Sequence, residues 1–315
     1  MTMLAFIARR LGAGVVLAYV VVTGMFFFLK LTGSDPARGA LGLYATEDQV
    51  ATRSEQLGLN RPILEQYWDW LSHALRGDLG MSSAQNTPVI DLLVTRLPVT
   101  VSLAVGAILV AAIIGALLGL LAAINPGKFD RGLQITMVLG FALPNFWVAI
   151  ILALVFAVNL RWLPATGYIH FLDSPTGWLQ TITLPIIALS IGSIAAIAQQ
   201  LRNSVITVYS QDYVRTLRSR GLSTRRILLT HVLRNASPPA LTMLSLQFIA
   251  AMSGAAIIER VFALQGIGSV AINASGNSDI QVIMGMLLFT VLLVVLINLI
   301  VDIAYSALNP KVRVS

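Results

Sequence analysis

Residues 99–124 read VTVSLAVGAILVAAIIGALLGLLAAI, with no Asp, Glu, Lys, Arg or His. A helix over that stretch rises about 39 Å at 1.5 Å per residue, more than the roughly 30 Å hydrocarbon core of a bilayer. Five further runs share its character: Leu11–Leu29, Leu133–Leu160, Ile182–Leu201, Pro238–Ile258 and Ile280–Val301. None of them carries an acidic residue, a Lys, an Arg or a His. The glycines and prolines inside them (Gly115, Gly119, Pro144, Pro185, Gly254) are tolerated where neighbouring membrane helices satisfy the freed backbone groups. The pattern predicts an all-α polytopic membrane protein with six transmembrane helices.

Composition agrees. Of 315 residues 57% are hydrophobic and 11% charged, and the mean hydropathy is +0.81. An average soluble domain is about 25% charged, so a water-soluble globule of this composition could not cover its surface. With no cysteine, disulfides and thiolate chemistry are excluded. The three histidines, His73, His170 and His231, lie too far apart to form a metal-binding pair motif. The first apolar run, 19 residues with no A-x-A site after it, is longer than the 7–15 of a cleaved leader and is read as a retained helix.

The basic residues orient the chain. With the N-terminus inside, the inner segments hold Arg9, Arg10, Lys128, Arg131, Arg202, Arg215, Arg218, Arg220, Arg225, Arg226, Arg234, Lys311 and Arg313, against the acids Asp130, Asp212 and Asp302. This bias follows the positive-inside rule and places both termini in the cytoplasm. It also accounts for the net charge of +7 without a nucleic-acid partner.

Two loops are too long to be mere connectors. In the outer one, Lys30–Pro98, Thr46-Glu47-Asp48-Gln49 reads as a capping box, with Gly58 at the end of its helix. Pro62 then sits in a first helical turn, and Ile63, Leu64, Tyr67, Trp68, Leu71 and Leu75 recur on one face. That face predicts either a cap packed onto the membrane helices or a docking surface for an external partner. In the inner loop, 202–237, a helix ends near Arg220 and Gly221 suits a left-handed cap. Ser223 caps a second helix, and Leu222 and Ile227 hold the hydrophobic-staple positions. Arginines surround this bend. It is either a basic element lying on anionic lipid or a lever gripped by a cytosolic protein.

A carrier needs a source of free energy. Ion-coupled carriers usually keep charged groups near the bilayer midplane; here the polar residues of the runs, Asn145, Gln199, Gln200, Gln247 and Asn298 among them, can form hydrogen bonds but cannot titrate. Asn145 and Gln247 are candidates for a translocation path and equally for hydrogen-bonded joints between helices. Lys128 follows Gly127, but Ala122 and Phe129 break the phosphate-cradle pattern, so the chain carries no nucleotide site of that kind. No catalytic, cofactor or metal site is expected. An active transporter of this sequence would draw its energy from another polypeptide through the inner loop.

Several segments in order resemble the permease subunits of ATP-binding-cassette importers for dipeptides and oligopeptides, a group that also includes nickel permeases. They include Phe6-Ile7-Ala8-Arg9-Arg10-Leu11, Leu57-Gly58-Leu59-Asn60-Arg61-Pro62, Gly77-Asp78-Leu79-Gly80, and Arg96-Leu97-Pro98-Val99-Thr100. In the inner loop, Asp212-Tyr213-Val214-Arg215-Thr216, Arg220-Gly221-Leu222-Ser223 and His231-Val232-Leu233-Arg234-Asn235-Ala236 are similar to the family's cytoplasmic EAA-type loop; Glu259-Arg260-Val261-Phe262, Gly266-Ile267-Gly268 and Asp279 match its last outer loop. Ser34, Gln265 and Asn309-Pro310-Lys311 depart from the family pattern outside the inner loop.

The resemblance implies a type I ABC importer permease fold in the cytoplasmic membrane of a prokaryote. It also implies a second, homologous permease subunit, two cytosolic ATPases that bind ATP and Mg, and an extracytoplasmic substrate-binding protein. Tyr213, Val214, Arg215, Thr216, Arg218, Arg220, Gly221, Leu222 and Ser223 would form the ATPase-coupling loop. The expected division is 1–29 as cytoplasmic N-terminus and first membrane helix, 30–98 as a folded extracytoplasmic loop, 99–306 as a five-helix permease core and 307–315 as a cytoplasmic tail. The competing expectations are a nickel or metal-chelate permease of the same family, a secondary carrier or channel needing no ATPase, and a lipid-binding scaffold.

Overall fold

The computed structural model describes residues 3–42 and 44–308. In chain order the helices are α1 (Met3–Leu31), α2 (Pro36–Leu41), α3 (Glu47–Gln56), α4 (Ile63–Ala74), α5 (Val89–Ile124), α6 (Lys128–Ala142) and α7 (Asn145–Leu152). They continue with α8 (Pro175–Tyr209), α9 (Asp212–Ser219), α10 (Thr224–Arg226), α11 (Leu233–Val261), α12 (Ile267–Gly276) and α13 (Ile280–Leu308). Wider π-helical turns extend α7 over Ala153–Asn159 and join α10 to α11 over Ile227–Val232. Among the described residues, extended pairing is confined to one isolated antiparallel bridge between Met81 and Pro88. Of the expected tail, Asn309–Ser315, with Lys311 and Arg313, lies outside the described residues.

Among the described residues, five helices are long and apolar enough to cross a membrane: Ala5–Leu31, Val89–Ile124, Pro175–Tyr209, Thr224–Val261 and Ile280–Ser306. A further apolar stretch of comparable length is a bent pair, α6 with the helix that starts at Asn145, at 96°, and makes a sixth crossing if the pair is one span. The run Leu133–Leu160 is thus broken at Pro144. The residue before a proline is pushed out of the helical region, and Leu143 is extended (φ −82°, ψ 119°) ahead of Pro144. Pro98, expected at the end of the outer loop, lies inside α5, which begins nine residues earlier at Val89.

The helices form two compact units. The larger is built from 101–264 with the described chain ends, 3–10 and 296–308. At its centre is α8, flanked by α5, α6, α7 and α11. Between membrane helices there is no hydrophobic drive to associate, so small residues that allow close backbone approach do that work. A Cβ on Gly119 would stand 2.5 Å from the Ala198 carbonyl oxygen, and one on Gly115 3.0 Å from the Ile197 side chain. Ala111 and Ala122 extend this buried stripe of α5. A bidentate ion pair, Arg202 Nε and Nη2 with Asp130 at 2.6 Å each, ties α8 to the first turn of α6 and is largely shielded from solvent.

The smaller unit comprises 11–100 and 265–295. Between the first two long helices the chain forms α2, α3 and α4. Thr46 caps α3 with the reciprocal Gln49 contact of a capping box, and Gly58 (φ +65°) follows its end. Asp279 is buried at the start of α13, where it accepts hydrogen bonds from Ser82 Oγ (2.6 Å), Ala84 N (3.3 Å) and Val282 N (3.3 Å). One carboxylate thus caps the last long helix and clasps a segment nearly 200 residues away in sequence. The face expected for α4 is corrected: Tyr67 and Trp70 are buried, whereas Leu64, Trp68 and Leu75 are exposed and Ile63 is half-exposed.

Candidate functional site

The loop at 202–237 folds as the residue pattern requires. α9 ends in a Schellman cap: Gly221 N donates to Arg218 O (2.9 Å) and Leu222 N to Leu217 O (3.3 Å). Such a cap needs a left-handed residue, and Gly221 has φ +79°. Among the described residues, nothing beyond its two chain neighbours lies within 4 Å of where a Gly221 Cβ would project, so the backbone conformation is what demands glycine there. Ser223 then caps α10 by accepting from Arg226 N (3.4 Å).

Beneath the turn, Val214, Ile227 and Val232 are fully buried with Val205, Val208, Leu228 and Ala236, and Leu217 and Leu222 pack on this cluster from the cap. The shared cluster joins α9 to the end of α8 and to the beginning of the next crossing helix. Two polar contacts repeat that linkage. The Arg218 guanidinium lies 4.4 Å over the Tyr209 ring at the end of α8, and Asn235 Nδ2 donates to Tyr213 Oη at 3.1 Å. α9 is therefore a cross-piece braced on both long helices.

From Thr224 to Val261 the chain stays helical without a break, through Pro238 and Pro239. At 1.5 Å per residue this rod is roughly 55 Å long. Its π-helical segment, Ile227–Val232, follows the glycine turn by six residues and is the kind of local insertion that often marks functional positions in helices. Arg215, Thr216, Arg218, Arg220, Gly221 and Ser223 are exposed, whereas Val214 is buried and Tyr213 and Leu222 are half-buried. The nine residues expected at the loop thus divide into a charged outer face and an apolar root.

Asn145 and Gln247 are brought to one helix but not to each other. The Asn145 carboxamide lies between two glycines: its Oδ1 is 3.7 Å from where a Cβ on Gly192 of α8 would sit, and its Nδ2 is 3.8 Å from that of Gly254 on α11. Gln247 Oε1 accepts from Ser193 Oγ at 3.0 Å. Adjacent residues of α8 therefore receive them, and the result is a polar seam among α7, α8 and α11. The sequence pattern did not pair Arg218 with Tyr209, Tyr213 with Asn235, Gln247 with Ser193 or Asp130 with Arg202. Each is recognisable only by its partner, which in the last pair is 72 residues away. Among the described residues no three His, Asp or Glu side chains gather as metal ligands.

A family model described as Binding-protein-dependent transport system inner membrane component matches residues 115–314. A second, described as Binding-prot-dependent transport system membrane comp, N-term, matches residues 3–104. A Brucella abortus protein provisionally named a peptide transport system permease is 37% identical over 312 residues, 99% of each chain. The Di/tripeptide transport system permease protein DppB of Pseudomonas aeruginosa is 34% identical over 333 residues, again covering 99% of each. Among solved structures, a chain of the MetNI methionine ABC transporter in an inward-facing conformation has the same fold, with a TM-score of 0.55, 17% identity, and coverage of 70% of this chain and 97% of that one. With five long apolar helices, a further bent apolar pair and matches that run nearly end to end, the chain belongs to the binding-protein-dependent transport system inner membrane component family.

Proposed function

We propose that the chain is one permease subunit of an ATP-driven importer of peptides, and that α9 with its glycine turn is the element through which cytosolic ATPases move it. The observation that carries this reading is the bracing of α9 on both long helices. A displacement of the turn is delivered to α8 through Arg218–Tyr209 and to the Thr224–Val261 rod through Tyr213–Asn235 and the buried cluster. Interiors packed this closely shift as rigid bodies. Alternating access then needs no charged group within the crossings.

The same reading places the N- and C-termini in the cytoplasm, as the arginine distribution supports. It retains 30–98 as an extracytoplasmic segment, 99–306 as the permease core and 307–315 as the cytoplasmic tail. A homologous second permease completes the pathway, two ATPases supply ATP and Mg chemistry, and an external binding protein delivers substrate. The chain itself is non-enzymatic and resides as a multi-pass protein in the inner membrane of a prokaryote. Peptide cargo is supported by the names of the full-length relatives. Asn145 and Gln247, on a polar seam of α8, are the residues of this chain proposed to border the path.

Reconstitution tests the reading. The chain alone in liposomes is expected to be inert, and uptake is expected only with its partner permease, the ATPases, the binding protein and ATP. Concentrative uptake by this chain alone, driven by an ion gradient, would make it a secondary carrier. Uptake of a nickel chelate but of no peptide by the full assembly would reassign the cargo.

A further inference from the structure

The sides of α4 (Ile63–Ala74) do not fit a helix standing free in water. Its buried side, Tyr67 and Trp70, packs with Val22, Phe26 and Leu29 of α1 and with Ile280 and Met284 of α13. A second side is polar: Arg61 pairs with Glu65 (3.6 Å) and Asp69 (3.3 Å), and His73 lies 3.7 Å from Asp69. On a third side, which 3.6-residue spacing sets between the other two, Leu64, Trp68 and the following Leu75 are 62%, 59% and 81% exposed.

The register against α1 gives the depth of this third side. Thr23 Oγ1 and Tyr67 Oη are 2.6 Å apart, and Lys30 Nζ donates to Gln66 Oε1 at 2.7 Å. Thr23 lies six residues inside the apolar run that ends at Leu29, about 9 Å below that end. Ile280 and Met284 are likewise in the first two turns of the apolar run of α13. α4 therefore lies beside the terminal turns of two membrane-crossing helices, at a level where α1 also leaves Phe28 and Leu31 exposed.

From this register we infer that α4 is an interfacial helix embedded in the bilayer leaflet at the Leu29 end of α1, with Leu64, Trp68 and Leu75 in contact with lipid. A water-soluble protein would have to reach below the ends of two crossing helices to cover that face, whereas lipid is already there. An exposed tryptophan, and a lysine whose Nζ lies 5.9 Å over the Phe26 ring near the end of α1, are the usual chemistry of this zone. An amphipathic helix with one wet and one lipid-facing side is held there by the area it buries.

Because the chain has no cysteine, single replacements Leu64→Cys, Trp68→Cys and Leu75→Cys, with Glu65→Cys and Ser72→Cys on the polar side, each take one nitroxide label. In the assembled transporter in lipid nanodiscs, power saturation compares collisions with oxygen, which favours the bilayer, and with a water-soluble nickel chelate. The ratio of oxygen to nickel collisions is expected to exceed one at 64, 68 and 75 and to fall below one at 65 and 72. Nickel-dominated collisions at all five positions would overturn the inference in favour of an aqueous docking face. Shielding of 64, 68 and 75 from both reagents would overturn it in favour of a protein occupant. If Trp68→Cys does not assemble, Leu64→Cys and Leu75→Cys decide the matter, since both side chains are exposed.

Discussion

α9 and α4 are both short amphipathic helices lying outside the long crossings, and each buries one apolar side on the helices it abuts. They differ in what is left outside. Around its buried Val214, α9 exposes Asp212, Arg215, Thr216 and Arg218, whereas α4 exposes Leu64, Trp68 and Leu75 beside its charged row. The buried side of such a helix identifies its neighbours within the chain; the exposed side identifies its medium. Charge facing outward suits water and a protein partner that exchanges ion pairs, and large apolar side chains at the level of the crossings suit lipid.

The severest test of this contrast is Gly221→Val. A β-branched residue resists the left-handed conformation that the cap requires, at about 1–2 kcal/mol, which is small beside total stability. Membrane insertion is expected to survive while ATP-driven uptake is abolished. Retained uptake would remove the glycine turn from the coupling path. Gly221→Ala sharpens the point, because the chain leaves open space at that Cβ. A loss of uptake much larger than its drop in thermal stability would then report contact with a partner and not strain within the permease.

Next in size are the two carboxylate clasps. Asp279→Ala removes a buried acceptor of three hydrogen bonds and a helix cap, at about 2–4 kcal/mol, and is expected to lower the melting temperature in detergent while ATPase binding persists. Asp130→Asn breaks the pair with Arg202, at about 1.5–3 kcal/mol, and is expected to loosen α6 from α8. Hydrogen exchange should show increased exchange in the first turn of α6. If the Asp279 variant instead loses ATPase binding at unchanged stability, the assignment of the two regions to separate tasks fails.

The smallest effects belong to the exposed surfaces. Arg218→Glu and Arg220→Glu are each expected to weaken ATPase association by up to about 1 kcal/mol. The loss should be greater at low salt, where exposed charges are least screened; salt-independent binding would contradict an electrostatic grip. Leu64→Glu, by contrast, is expected to impair membrane insertion or detergent stability and to leave ATPase association unchanged at any salt.

Local backbone chemistry was legible in advance. The Thr46–Gln49 capping box, the glycine ends at Gly58 and Gly221, and the Ser223 cap all depend on residues within a few positions of one another. The six apolar runs were equally plain. The face of α4 was not, because Tyr67 and Trp68 are both aromatic, and only the neighbouring α1 and α13 decide which is covered. The bend at Leu143-Pro144 also escaped the pattern. A proline within an apolar run is compatible with a continuous membrane helix, as Pro98 in α5 and Pro185 in α8 show.

The sequence by itself determined that this is a membrane protein of six apolar segments with a glycine-turned basic loop, since hydropathy, capping and the demand for positive φ act over one to two dozen consecutive residues. Only the tertiary structure decided that α9 is braced on two long helices, that Asp279 clasps Ser82 and Ala84, and that one side of α4 remains uncovered. Those facts depend on which distant segments meet. In a chain whose segments are almost uniformly apolar, partners are chosen by shape, through small residues such as Gly115 and Gly119 and a few polar contacts, and the order of residues along the chain does not announce that choice.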